Sequence, residues 1–148
     1  YRTEMKIRQF ATPDTSDVIQ LWKDCDLTRP WNDPEKDIAR KASYQPELFL
    51  VGEVEGKIMA SAMVGYDGHR GSIFYLAVGP QFQRMGYGAA LMKEAERILI
   101  SLGCPKLNIL VRNTNTKVLA FYSALDYPLD EVVSVGKRLI LDTGLRHE

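Results

Sequence analysis

The stretch "LAVGPQFQRMGYGAALM", Leu76 to Met92, joins a run typical of a buried strand to a run with helical spacing. Two glycines, Gly86 and Gly88, stand one residue apart just before the helix. The first amides of a helix have no partner inside it and lie at the positive end of its dipole. Glycine lets an anion approach them without meeting a Cβ, and Arg84 adds positive charge. The stretch predicts a phosphate-binding loop, although two glycines before a helix are equally typical of a tight turn.

Two common nucleotide-binding loops do not fit this stretch. A Walker loop needs Lys followed by Ser or Thr after the glycines, and neither is present. A dinucleotide site needs a third glycine and an acidic residue about 20 residues further on, where Asn108 stands. The phosphate therefore belongs to another kind of ligand.

Before the loop, hydrophobic periodicity predicts a strand in "MKIRQF" and a helix from Thr12 to Cys25, with Thr12 as its cap and Pro13 in its first turn. Asp33 and Pro34 predict the start of a short second helix that ends near Ala42. Three β-rich runs follow, and short turns at Glu55-Gly56 and "DGHRG" join them, which predicts an antiparallel meander. These runs are "ELFLVGEVEG", "KIMASAMVGY" and "SIFYLAV".

After the loop, apolar residues at helical spacing predict a helix that Gly103 and Pro105 end. "KLNILVR" then predicts a strand, "NTKVLAFYSAL" a helix and "EVVSVGKRLIL" a closing strand pair. The strand, helix and strand around Gly86 favour parallel pairing, because such a connection crosses over one face of a sheet. We therefore expect an α/β fold with a mixed, mostly antiparallel sheet of about 6–7 strands and about four helices on both faces.

Length and composition fit one domain over residues 1–148, since 148 residues with 45% hydrophobic content can bury one full core. No apolar run reaches the roughly 18–20 residues that a membrane span needs, and "YRTEMKIRQF" lacks the apolar stretch of a signal peptide. We predict a cytoplasmic protein without a membrane partner. Cys25 and Cys104 are far apart in the sequence, and the chain has only two histidines that could join them as metal ligands. This predicts reduced thiols and no metal site.

The formal net charge is zero, which argues against binding to nucleic acid through a basic surface. The charge is unevenly distributed, however, because residues 79–118 contain six basic and two acidic side chains. This balance of +4 favours a small anionic ligand in the middle of the chain.

The loop also resembles motif A of the GNAT superfamily of N-acetyltransferases, in which Gln/Arg-x-x-Gly-x-Gly/Ala stands between strand and helix; Gln83, Gly86 and Gly88 match it. "NTNTKVLAFYSALDY" resembles motif B, matching at Asn115, Tyr122 and Tyr127, while Asp126 replaces the usual glycine. "RPWNDP" and "YDGHRG" are similar to segments of bacterial acetyltransferases of the YpeA type. The resemblance covers nearly the whole chain and implies the GNAT fold.

This resemblance implies that the chain binds acetyl-CoA as a cosubstrate. Main-chain groups of the strand before the loop would pair with the pantetheine arm, the loop would hold the pyrophosphate, and Asn115 would contact the pantetheine side. The residues that the resemblance assigns to this site are Leu76, Ala77, Val78, Gln83, Arg84, Met85, Gly86, Tyr87, Gly88, Ala89 and Asn115.

Tyr122 corresponds to the tyrosine that acts as general acid toward the CoA sulfur in many relatives. A phenol with a pKa of about 10 can donate a proton to a developing thiolate with a pKa of about 8.5. Tyr122 also lies on the apolar stripe with Val118 and Phe121, so a packing role is the alternative.

The general base does not follow from the family pattern. Some relatives carry a glutamate where this chain has Ser72, and others carry one where it has Leu110. Substitutes from the sequence are Asp67 and His69, which lie in a turn, Glu53, which as a surface acid is the weaker choice, and Tyr75, which could relay a proton through water.

We therefore predict an N-acetyltransferase that moves acetyl from acetyl-CoA to a primary amine, either a protein N-terminus or a small amine, in a ternary complex. Without a family base the acceptor should have a low pKa, because α-amines near 7.7–8.0 are neutral more often than lysine near 10.4. Arg29, Trp31, Asn32 and His69 are the predicted acceptor-binding residues. The alternatives are a GNAT-fold sensor that binds acyl-CoA without turnover and a nucleotide-binding regulator, and the choice between monomer and homodimer stays open.

Overall fold

The computed structural model describes residues 4–145, which form a mixed sheet of five strands and four α-helices. The strands are β1 (Lys6–Gln9), β2 (Phe49–Val54), β3 (Lys57–Tyr66), β4 (Gly71–Val78) and β5 (Leu107–Asn108). The helices are α1 (Thr15–Asp24), α2 (Pro34–Ala42), α3 (Tyr87–Ser101) and α4 (Thr116–Ala124). None of these helices combines the length and apolar content that a bilayer crossing requires.

The strands lie side by side in chain order, from β1 to β5. Neighbours from β1 to β4 are antiparallel, which confirms the predicted meander. β4 and β5 are parallel, with Gly71 opposite Leu107 and Ser72 opposite Asn108. Because α3 makes this connection, the parallel pairing predicted around Gly86 is also confirmed.

Helices cover both faces of the sheet, as the sequence predicted. Residues of one strand point alternately to its two sides, and β2 shows this because Leu50 belongs to one buried cluster whereas Phe49 and Val51 belong to the other. The first cluster contains Leu91 of α3 and Tyr122 of α4. The second contains residues of α1 and α2, among them Val18, Leu21, Trp22 and Ile38.

The start of α2 agrees with the sequence prediction, whereas the start of α1 differs from it. The Asp33 side chain accepts a hydrogen bond from the Lys36 amide at 3.2 Å and caps α2 as predicted. Thr12 does not cap α1, because a 3-10 turn (Thr12–Asp14) precedes it. Asp14 accepts from the Ala11 amide at 2.9 Å and pairs with Arg8 at 2.8 Å, which holds this turn to β1.

The predicted count of 6–7 strands is wrong, because the sheet has five. "KLNILVR" supplies only Leu107 and Asn108 to the sheet, and "EVVSVGKRLIL" supplies no strand. Within the described residues, the chain leaves β4 after Asn108, so β5 is only two residues long and offers almost no edge to a closing pair. Residues 131–141 instead run outward to α2, where Arg40 pairs with Asp142 at 2.9 Å.

Candidate active site

A cleft opens where β4 and β5 separate. The pairing recorded for them covers two residues on each strand, and beyond these β4 continues through Val78 without β5 beside it. The space that results is a cavity of about 670 Å³. β4, α2, α4, the α1–α2 loop and residues 110–112 contribute its walls. The lining side chains that carry polar chemistry are Arg29, Asn32, Asp37, Arg40, Lys41, Tyr44, Tyr75, Arg112, Asn115 and Tyr122.

A β-bulge in β4 faces this cavity. Met63 pairs with Phe74 and Ser61 pairs with Ala77, so β4 carries one residue more than β3 between these pairs. Tyr75 in the bulge has a left-handed backbone (φ 53°), which costs energy for a bulky residue. The fully buried Ser61 hydroxyl donates to the Tyr75 carbonyl at 2.8 Å and accepts from Trp22 Nε1 at 2.9 Å. This network holds the bulge in place.

Different physical constraints explain why each of the two loop positions is a glycine. Gly86 has a φ of 83°, a left-handed conformation that glycine adopts without strain, and α3 begins directly after it. A Cβ on Gly88 would lie 3.1 Å from the Phe121 ring, so this glycine allows α3 to pack closely against α4. The prediction that both glycines admit an anion is therefore complemented by a packing role for Gly88.

Tyr122 is buried and lines the cavity, and its ring contacts the rings of Phe121 and Tyr127. Burial raises the pKa of Tyr122 to about 12, so the phenol keeps its proton at neutral pH. Asn115 caps α4 by accepting from the Val118 amide at 3.3 Å and also lines the cavity. Asp126, at the place of the usual glycine, follows α4 with a left-handed φ of 68°.

The opposite wall carries a carboxylate that sequence reasoning missed. Tyr75 Oη donates to Asp37 Oδ2 at 2.6 Å, and the Tyr75 ring stacks on Trp22 with 3.7 Å between ring centroids. Burial and this hydrogen bond raise the pKa of Tyr75. Asp37 precedes Ile38, the buried apolar residue of α2, so the helical pattern did place it at the edge of the buried face. Its approach to Tyr75 depends on how α2 packs on the sheet.

Of the four predicted acceptor-binding residues, two line the cavity and two do not. Arg29 and Asn32 line the cavity, Arg29 donating to the Thr28 carbonyl at 2.9 Å and Asn32 accepting from Arg138 at 2.8 Å. Trp31 and His69 do not line it. His69 lies in the β3–β4 turn, where its backbone amide donates to Asp67 Oδ1 at 2.8 Å.

The residues considered as the general base, and the two positions where relatives carry a glutamate, lie in different parts of the structure. Glu53 is partly buried and pairs with Arg8 at 3.5 Å, and Asp67 closes its turn by accepting from the Arg70 amide at 2.7 Å. Ser72 and Leu110 line a second cavity of about 410 Å³ beside the first. Within residues 4–145, no group of three or more His, Cys, Asp or Glu side chains is arranged to hold a metal ion.

The predicted donor residues lie along one path. Leu76 lines the cavity, Ala77 and Val78 continue β4, and the chain then passes through the short 3-10 helix Pro80–Phe82 into the loop. Gln83 Nε2 donates to the Val78 carbonyl at 3.1 Å, which ties the loop to the end of β4. Arg84 has a left-handed φ of 65°, and both it and Met85 are exposed, whereas Tyr87 is buried in the first turn of α3 and Ala89 follows Gly88 there.

Comparison with known proteins supports the fold and the family. An acetyltransferase of Yersinia enterocolitica is 54% identical over 138 residues, which cover 93% of this chain and 98% of the relative. The ribosomal-protein-S18-alanine N-acetyltransferase from Escherichia coli superposes with a TM-score of 0.69 at 24% identity, over 82% of this chain and 76% of that chain. An aminoglycoside N-acetyltransferase in complex with CoA gives 0.73 at 18% identity, over 95% and 98%.

The two solved structures show the shared fold, and the sequence matches show the family. The model of the acetyltransferase (GNAT) family matches residues 15–127, a span that contains the cleft, the glycine loop and Tyr122. The resemblance drawn from the two motifs, and with it the prediction of an acetyltransferase, is confirmed: this chain belongs to the acetyltransferase (GNAT) family.

Proposed function

We propose that the protein transfers the acetyl group of acetyl-CoA to a primary amine, with both substrates bound together in the cavity between β4 and α4. One observation carries the proposal: the same cavity has Tyr122 on the α4 wall and the Asp37–Tyr75 pair on the α2 wall. A proton donor and a proton acceptor on opposite sides of one cleft suit a reaction that protonates a leaving thiolate and deprotonates an attacking amine.

The backbone of β4 supports the proposed binding of acetyl-CoA, the acetyl donor. From Ile73 to Val78 no β5 residue pairs with β4 in the described chain, so this edge is available to add an extended arm such as pantetheine. The bulge at Tyr75 turns the backbone out of its regular register at the same place. The N-terminus of α3 and Arg84 would hold the pyrophosphate, and Asn115 would contact the pantetheine arm.

Tyr122 acts as the general acid in this proposal. Its raised pKa keeps the proton on the phenol until a base of comparable strength appears. A thiolate formed in the same apolar surroundings is also a stronger base than in water, because burial disfavours its charge. The buried hydroxyl therefore donates to the leaving sulfur.

Asp37 takes the place of the missing family carboxylate. As the amine attacks the thioester carbonyl, its proton passes to Tyr75 Oη while Tyr75 passes its own proton to Asp37, across a hydrogen bond of 2.6 Å. The acceptor remains a small amine or a protein N-terminus in our proposal. With a carboxylate in reach, a low pKa of the acceptor is no longer required.

The experiment compares the parent protein with Tyr122→Phe in assays of free thiol released from acetyl-CoA across a panel of small amines and peptides with free N-termini. We expect kcat to fall by about 100-fold or more, the range of general acid catalysis, while CoA affinity stays within about twofold. Tyr44→Phe serves as the matched control, because Tyr44 lines the same cavity but is 64% exposed.

Two results would contradict the proposal. Binding of acetyl-CoA without thiol release on any amine would favour the acyl-CoA sensor. A Tyr122→Phe protein that turns over at the parent rate would remove Tyr122 from the chemistry and leave it a packing residue.

A further inference from the structure

Lys41 is a buried lysine whose ammonium group has no partner in the described part of the chain. The residue is 9% exposed, and its Nζ forms no hydrogen bond or ion pair with residues 4–145 but keeps contact with solvent. Other cations of α2 are satisfied, since Lys36 donates to the Asp142 carbonyl at 2.9 Å and Arg40 pairs with the Asp142 carboxylate at 2.9 Å. The Lys41 ammonium therefore lines the two cavities without an ion-pair partner, and an anion bound there can pair with it.

The Lys41 side chain lies where the two cavities adjoin, close to Gly65. It lines both cavities, and its Nζ lies 3.8 Å from the point where a Cβ on Gly65 would stand. Ser72 Oγ and Gln45 Oε1 lie 3.1 and 4.0 Å from that point. Ser72 is neutral, and Gln45 is bonded through both amide atoms to the Tyr66 backbone at 2.7 and 3.1 Å. Neither supplies the missing negative charge.

The pKa of Lys41 is consistent with an ammonium group that has no anion beside it. Burial lowers the pKa of Lys41, and the Glu47 carboxylate opposes that shift from outside hydrogen-bonding distance. An anion bound beside the ammonium would favour its charged form and oppose the effect of burial on the pKa of Lys41. The Ser72 hydroxyl offers such an anion a second donor.

The phosphates of CoA are a poor candidate for this anion. The loop that is proposed to hold them, residues 84–89, lines neither cavity. Lys41 instead shares both cavities with Tyr44, Phe74 and Leu110, none of which is assigned to CoA in our proposal. The anion therefore belongs to the second substrate.

Asp37 and Lys41 are four residues apart on α2, so their side chains neighbour each other on one face with about 5–6 Å between their Cβ atoms. We propose that the acceptor is a primary amine that also carries a carboxylate or a phosphate: Asp37 and Tyr75 receive the amine, and Lys41 with Ser72 binds the anion. This inference rests on the proposed acetyl transfer and narrows its acceptor class.

The test uses two matched pairs of acceptors, an amino acid with its carboxamide and an aminoalkyl phosphate with the corresponding amino alcohol. Thiol release is measured at saturating acetyl-CoA for the parent, for Lys41→Met and for Lys23→Met, a control on the exposed face of α1. Binding of each compound to the CoA-bound protein is measured separately by calorimetry. The two pairs distinguish a carboxylate from a phosphate.

We expect the parent to prefer the anionic member of at least one pair by about 10- to 100-fold in kcat/KM, the range that a hydrogen bond between charged groups provides. Lys41→Met should abolish the preference and weaken binding of the anionic compound by a similar factor, while the KM for acetyl-CoA and all values for Lys23→Met stay near the parent. Lys41→Arg should retain part of the preference.

Each contrary result has a distinct meaning. Turnover of all four amines with equal efficiency, or a preference that survives in Lys41→Met, overturns the anion site and leaves acetyl transfer standing. Binding of an anionic compound that depends on Lys41 but is never followed by thiol release supports the anion site and contradicts the proposed function. Equal calorimetric affinity within both pairs overturns the anion site whether or not turnover occurs.

Discussion

At the scale of single residues, Ser61 determines the shape of the active-site strand. It is fully buried in the middle of β3, and its one hydroxyl serves both the Trp22 indole and the Tyr75 carbonyl. These bonds hold Tyr75 in a left-handed conformation that its side chain disfavours. The position of Tyr75 Oη beside Asp37 therefore depends on a serine that does not line the cavity.

Ser61→Ala should lower the free energy of unfolding by about 1–3 kcal/mol, because two buried polar groups lose their partner. Acetyl-CoA should also bind more weakly, since the bulge loses its support. Denaturant unfolding and calorimetry with CoA measure the two effects, with Ser101→Ala on exposed α3 surface as the control. A change below about 0.5 kcal/mol, as at an ordinary surface site, would show that the network does not hold the bulge.

At the scale of elements, α2 carries the residues to which we assign the acceptor chemistry. Asp33 fixes where the helix begins, Ile38 fixes which face is buried, and Asp37 and Lys41 then follow at the edge of that face. Arg40 pairs with Asp37 at 3.2 Å and also with Asp142, which attaches the C-terminal part of the described chain to this helix. One short helix therefore places the proposed proton acceptor and the proposed anion site together.

Asp37→Asn should lower kcat/KM for the amine by about 100-fold or more at neutral pH, with the KM for acetyl-CoA unchanged. The rate of the variant should rise steeply with pH, because only the fraction of amine that is already neutral can react. Asp17→Asn on exposed α1 surface is the matched control. A uniform loss with the pH profile of the parent would indicate that Asp37 only positions Tyr75.

At the scale of the whole molecule, the segment 131–141 lacks a partner for its apolar side chains. Val132, Val133, Val135 and Leu139 are 77–92% exposed. Asp130 anchors one end to Asn108 at 2.9 Å and Asp142 anchors the other end to Arg40. Between these anchors no backbone hydrogen bond to the described chain is formed. An exposed, β-prone segment of this kind is suited to pairing with another chain.

We therefore expect the homodimer left open by the sequence, with segments 131–141 of two copies paired. Light scattering after gel filtration should give twice the monomer mass, and Val133→Asp with Val135→Asp should shift the protein to monomer because one strand face becomes charged. Ile100→Asp, at a position of α3 that is 73% exposed, should leave the dimer intact. A monomer at all concentrations would contradict this expectation.

The sequence alone determined the features that depend on neighbouring residues. The glycine loop, the meander, the cap of α2 and the two family motifs each lie within one short segment, where spacing and backbone preference act directly. These segments were enough to indicate the fold, the family and the cosubstrate. They also predicted Tyr122 as the general acid, since its place in the second motif is local.

Only the tertiary structure decided which distant residues meet. Asp37 reaches Tyr75 across 38 residues of sequence, and Phe121 accounts for Gly88 from the neighbouring helix. The strand count fell to five because the chain beyond Asn108 turns away from β4, although its β propensity is high. Propensity acts over a turn or a strand, whereas these contacts depend on how separate elements pack, which no single segment encodes.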